Sequence, residues 1–116
     1  MKNYVQSGGV LDHTPGADVT GGDPVVMGAT VGVAVGDIAS GETGAVAVEG
    51  VYQVAKATGT AWTQGDVLDF DKSEGKFAKN LSTSSGDVTG CAIAAADATS
   101  GATSGNVKLT NPGTAA

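Results

Sequence analysis

One histidine, His13, and one cysteine, Cys91, are what this chain offers for metal binding or nucleophilic catalysis. A zinc centre draws on spaced clusters of Cys and His, which a single residue of each type does not provide. His13 stands in Asp12-His13-Thr14-Pro15-Gly16, where Pro and Gly mark a turn. No G-x-S-x-G elbow occurs to set a serine beside it. Cys91 lies in the apolar run Val88-Thr89-Gly90-Cys91-Ala92-Ile93-Ala94 with no basic neighbour to lower its pKa, so a buried, unreactive thiol is expected. A lone cysteine also forms no intrachain disulfide. Asp69 and Asp71 alternate along one strand face, as two calcium ligands do, but the Gly and Glu spacing of an EF-hand loop does not follow them. Two solvated carboxylates beside Lys72 and Lys76 are the simpler reading. No P-loop signature is present. A glycosidase cleft flanked by aromatic rings is a poor match to one Trp, two Tyr and two Phe. The expectation is a protein with no catalytic residue, no metal ligand and no cofactor, that is, a binding protein rather than an enzyme.

The residues with most to offer a partner are carried on strands and turns. Gly44 to Ala55 reads as one long strand, with Val46, Val48, Tyr52 and Val54 on one face and Ala45, Glu49, Val51, Gln53 and Ala55 on the other. The chain then turns through Thr58-Gly59-Thr60 and presents its one tryptophan in Trp62-Thr63-Gln64-Gly65. Trp62 serves either as the largest side chain of the core or as part of a contact with another protein, where Trp is enriched at hot spots. A carbohydrate platform is a third use. A hairpin follows, Val67 to Asp71 and Lys76-Phe77, joined by Lys72-Ser73-Glu74-Gly75.

The same alternation appears upstream. Val25, Met27, Ala29, Val31, Val33 and Val35 predict one face of a strand whose other face is made of small residues, and this strand is expected to pair antiparallel with the Gly44–Ala55 strand. The link from Gly36 to Gly44 is either a loop or a single helical turn. Short strands are predicted at Asn3–Gln6, Val10–Leu11 and Ala17–Thr20. Asn80 to Asp87 is a polar loop, Val88 to Ala95 a strand, Asp97 to Gly105 a flexible loop of low complexity, and Asn106 to Thr110 the last strand. No repeat of fixed period is visible. Residues 1–110 are expected to form a single β domain and residues 111–116 a flexible tail that is ordered only if a partner holds it.

Composition narrows the partners. The formal net charge is −6, and all six basic residues are scattered lysines, so clustered contacts to nucleic acid phosphates are not expected. No apolar run is long enough to span a bilayer, and Lys2 is not followed by the apolar segment of a signal peptide, so neither a membrane partner nor export is expected. With 19 Gly and 4% aromatic residues, Val and Ala must supply most of the core. Such side chains bury little area each, so neighbouring subunits are expected to complete the stability. Gly, Thr, Val, Ser and Asp favour strands and turns. The fold class predicted is all-β: a small β-sandwich or barrel of about eight strands with jelly-roll-like or Greek-key connections.

The order of these elements resembles the small capsid cement proteins of tailed bacteriophages. The likeness is carried by the Val/Ala strand with Glu49-Gly50-Val51-Tyr52, by Lys56-Ala57 and then Ala61-Trp62-Thr63-Gln64-Gly65-Asp66, by the acidic aromatic hairpin before Lys76-Phe77, and by the opening Met1-Lys2-Asn3-Tyr4-Val5-Gln6 with Gly8. It extends to about Leu109. The resemblance implies a structural virion protein, made in the bacterial host cytoplasm, that binds the outer surface of the head and stabilises the shell by bridging major capsid protein subunits. Homo-oligomers suit that task, a trimer ahead of a dimer. The candidate contact residues with the capsid or with sister subunits are Met1, Lys2, Asn3, Tyr4, Val5 and Trp62. The alternative is a β-sandwich adhesin or carbohydrate-binding module, which would expose aromatic rings.

Overall fold

The computed structural model describes residues 8–116. Ten strands alternate with turns, and no helix occurs among these residues: β1 (Val10–His13), β2 (Pro24–Met27), β3 (Thr30–Ala34), β4 (Gly44–Ala47), β5 (Val51–Ala55), β6 (Val67–Asp71), β7 (Lys76–Ala78), β8 (Val88–Ala94), β9 (Ser104–Leu109) and β10 (Thr114–Ala115). They build two antiparallel sheets in a sandwich-like, all-β body, as the composition predicts. The first sheet has the order β1-β4-β3-β2, and the second runs β5-β9-β8-β6-β7, with β10 beside β8. In the first sheet three consecutive strands lie side by side and β1 returns next to β4, which is a Greek-key arrangement. The second sheet curls until its outer strands meet, where Lys56 and Phe77 form a bridge and the Ala57 amide donates to the Phe77 carbonyl at 2.9 Å.

Two long strands expected from alternation are each broken at a glycine. The Val25–Val35 run is a hairpin, β2 and β3, that turns at Gly28 with φ 63°. The Gly44–Ala55 run stops at Gly50, φ 113°, so β4 belongs to the first sheet and β5 to the second. Positive φ is open to glycine without steric cost, and alternation of side chains is blind to such a turn. The faces survive the break: Val46, Val48 and Val54 are buried, whereas Glu49, Val51, Gln53 and Ala55 are exposed. The face assigned to Val25–Val35 fails at its end, where Val35 is 63% exposed beyond the last strand residue. The predicted pairing between the two runs is present, with Val33 opposite Ala47 and Ala34 opposite Val46. The Gly36–Gly44 link is a loop without a helical turn, bridged from Ile38 to Val19. His13, expected in a turn, ends strand β1 opposite Gly44.

The core has two parts. The larger gathers Trp62, Leu68, Phe70, Phe77, Val88, Cys91, Val107 and Leu109 of the second half with Val31 and Val33 of β3. The smaller holds Val25, Ala34, Ile38 and Val46, with Val19 and Met27 against it. Strand β3 therefore feeds both clusters, one from each face, and joins the two sheets.

The chain end is tied to this joint. The Asn111 side chain accepts from the Val31 amide at 3.0 Å and donates to the Val31 carbonyl at 2.7 Å, as a neighbouring strand would. The Gly113 amide donates to the Ala29 carbonyl, and Thr114 and Ala115 pair with Thr89 and Val88. The segment 111–116, expected as a flexible tail, is thus held by the chain's own β3 and β8. Its polar composition hides that role because the partners are backbone groups.

The two sheets are also copies of one plan. Strands β1, β2, β3 and β4 correspond to β5, β6, β8 and β9, with the same neighbours and the same direction. The hydrogen bonds correspond as well. Val19 and Ile38 exchange a backbone pair, as do Trp62 and Ala98; Gly22 donates to Ala34 as Gly65 does to Ala94; Val48 donates to Gly9 as Leu109 does to Gly50. Side chains repeat the pattern: Asp23 accepts from the Thr20 amide and Asp37 from Gly21, while Asp66 accepts from Thr63 and Asp97 from Gln64. Strand β7, the turn before it and the loop after it are inserted in the second copy. The spacing between equivalent residues therefore changes along the chain, which is why no fixed period is visible in the sequence.

Candidate interaction surface

The residues with chemical potential are occupied in holding the fold. Asp69 sits where the register between β6 and β8 shifts, and its carboxylate accepts from the Gly90 amide at 2.9 Å and the Leu81 amide at 3.0 Å. A bulge leaves ladder groups unpaired, and Asp69 receives one of them. Asp71 caps the hairpin turn, accepting from the Ser73 amide, the Ser73 hydroxyl and the Glu74 amide. The expectation of solvated carboxylates is replaced by a structural one. Among the described residues no group of His, Cys, Asp and Glu is placed to hold a metal ion. Cys91 is fully buried, and burial pushes its thiol up to about 12. Asp66 is held below the usual carboxylate range, first by the Thr63 amide and then by its bond to Lys79.

Trp62 lies in the core at 2% exposure, under β9, where a side chain on Gly105 would meet its ring at 2.6 Å. Of the three uses foreseen for it, the fold employs it as a core anchor, and in this conformation the ring offers no surface to a partner. Lys56, which sequence reasoning passed over, is buried beside it: its ammonium stands 5.5 Å from the ring centroid and donates to the Ala57 carbonyl at 3.0 Å. A cation over an indole face is a favourable electrostatic pair once water is excluded. The other candidate contact residues, Met1, Lys2, Asn3, Tyr4 and Val5, lie outside the described residues, as does the strand predicted at Asn3–Gln6.

What remains for recognition is the outer surface. Among the described residues the large apolar side chains exposed on it are Val10, Leu11, Val35, Val51 and Val67. Val10 and Val51 are equivalent positions of the internal repeat, each the first residue of its sheet's first strand. Leu11 borders a cavity of about 420 Å3 with Gly8, Val48, Leu109 and Pro112, at the junction of the two sheets. Phe70 and Phe77 are buried like Trp62, and Tyr52 is half-buried with its hydroxyl donating to the Glu49 carbonyl. The rings of the described residues thus do not form the exposed platform that a carbohydrate-binding module uses.

The fold is thus a small all-β body whose polar side chains serve turns and bulges and whose described surface carries scattered valines. Residues 5–109 match the sequence model of the phage cement protein family, and the chain belongs to that family. Its role is structural and associated with the phage capsid, in agreement with the resemblance drawn from the sequence. No curated protein matched the chain.

Proposed function

We propose that this protein binds the outer surface of the phage head and stabilises the shell by bridging neighbouring copies of the major capsid protein. The observation that carries the reading is the internal repeat within a cement-family chain. One chain displays two equivalent edge-strand valines, Val10 and Val51, and a shell displays many equivalent subunits. Two modest apolar contacts on one rigid body act together, because the second forms at high effective concentration once the first is made. Oligomers placed on symmetry axes multiply the effect, a trimer at three-fold positions before a dimer at two-fold positions. Attachment follows expansion of the shell, when the junctions to be bridged have their final spacing. The N-terminal residues 1–6, with Tyr4 as anchor, add a further contact by pairing with an edge of a neighbouring sheet.

Co-sedimentation with undecorated heads tests this reading. Val51→Asp places a charge on an exposed position and should leave folding intact while weakening attachment, and removal of residues 1–6 should do the same. Folded variants of both kinds that decorate heads as well as the wild type would exclude these contacts.

A further inference from the structure

The internal repeat shows what the open edge of β2 is built to accept. In the second half β6 is covered by β7: Asp69 pairs with Ala78, Phe70 with Phe77 and Asp71 with Lys76. Two residues beyond Phe77, Lys79 reaches back to Asp66 at 2.9 Å. In the first half β2 takes the place of β6, with the same register against its neighbour as far as the bulge: Pro24 stands opposite Val33 as Val67 stands opposite Ile93, and Val25 opposite Gly32 as Leu68 opposite Ala92, whereas β2 continues without the shift that follows Leu68. Counted along the strand, Asp23 is the equivalent of Asp66, Val26 of Asp69 and Met27 of Phe70. Nothing among the described residues takes the place of β7: β2 pairs with β3 alone.

The edge is suited to pairing. The Ala34 amide donates to the Asp23 carbonyl, so by antiparallel alternation residues 25 and 27 also face β3, and Pro24 and Val26 face outward. Pro24, without an N–H, offers the outward side only its carbonyl, so Val26 supplies the N–H and C=O pair that a docked strand would meet. Alongside runs a cavity of about 350 Å3 lined by Asp23, Pro24, Val26, Phe70, Lys72 and Gly75. Asp23 accepts from the Thr20 amide as Asp66 does from Thr63, but no lysine among the described residues takes the part of Lys79.

We propose that the edge of β2 is a docking site for an extended segment of another protein, antiparallel to β2, that carries an apolar residue opposite Met27 and a lysine two residues later that pairs with Asp23. The occupant is not a second copy of this chain. The apolar-x-Lys triplets here, Val54 to Lys56, Phe70 to Lys72 and Phe77 to Lys79, have their apolar members buried in the body. Lys2 precedes Tyr4 and gives the opposite order. The partner is a different chain with a basic, strand-forming segment. On the reading above it is the shell protein, although the edge itself rests on the repeat and not on that reading.

The probe is a synthetic peptide with the sequence of residues 74–81, added to the isotope-labelled full chain and followed by amide chemical shifts. The expected result is a titration confined to Thr20–Met27 and the turn Lys72–Gly75. A Lys79→Ala peptide should bind the wild-type chain about three-fold more weakly, as loss of one exposed ion pair predicts. That difference should vanish against Asp23→Asn, whose amide oxygen still accepts from Thr20. Absence of shifts at β2, shifts at β6 instead, or a lysine effect that persists in Asp23→Asn would each overturn the proposal. None of these outcomes depends on whether the protein decorates heads.

Discussion

Val48 and Glu49 are adjacent and face opposite ways, Val48 at 8% exposure and Glu49 exposed. Val48→Asp forces an unpaired carboxylate into the junction between the sheets, a change that costs several kcal/mol and should remove the cooperative thermal transition. Glu49→Ala should leave the melting temperature within experimental scatter. Soluble, cooperatively melting Val48→Asp would refute the face assignment. Cys91 gives a second residue-scale prediction. A thiol that burial has raised to about 12 is neutral and enclosed at neutral pH. A chromogenic thiol reagent should therefore label it only after denaturant unfolds the chain, and prompt labelling of the folded protein would show that the strand β8 opens.

At the scale of elements the sensitive part is the chain end. Asn111 supplies both partners of the fully buried Val31 backbone. Asn111→Ala leaves that amide and carbonyl unsatisfied, and a loss of about 1–3 kcal/mol per stranded group is expected. The check is urea unfolding, with an unchanged m-value and a lower midpoint. The twin turns give a pH-dependent prediction. Asp66 is favoured in its charged form, so its folded pKa lies below the ordinary 3.8. Its contribution is complete above that ordinary value and is lost as pH falls through the folded one. The stability advantage of wild type over Asp66→Asn should thus be constant at about pH 6 and shrink toward about pH 3. An advantage that grows on acidification would contradict the assigned contacts.

For the whole molecule, a body of net charge −6 with exposed valines as its contact points should grip by short-range apolar contact and backbone pairing. Attachment to heads should change little when salt is raised from low to moderate, because few ion pairs are there to be screened. Co-sedimentation at two salt concentrations makes the measurement, and binding that collapses with salt would replace the apolar surface by an electrostatic one. The single lysine–Asp23 pair proposed at β2 adds only a shallow salt dependence.

Local chemistry carried a good deal in the sequence. Alternation told which of Val46, Val48 and Val54 and which of Glu49, Val51 and Gln53 lie inside, since side-chain direction in a strand has a period of two whatever the sheet. The scarcity of His and Cys left no metal or nucleophilic centre to expect, and turn residues marked the β6–β7 hairpin. Where the first long run folds back on itself was decided at Gly28, and where the chain changes sheet at Gly50; positive φ at each interrupts a strand without disturbing that period. The repeat leaves only fragments in the sequence, in Thr20-Gly21-Gly22-Asp23 beside Thr63-Gln64-Gly65-Asp66 and in Ser40-Gly41 beside Ser100-Gly101, because the inserted strand β7 shifts the spacing between copies. Trp62 could not be placed from its own sequence neighbours, since what covers it is Gly105 on β9, far along the chain. The roles of Asn111, Asp69 and Lys56 were likewise fixed by tertiary structure: each answers a backbone group or ring brought to it by distant strands, and a polar side chain bonded to backbone leaves no pattern in the sequence.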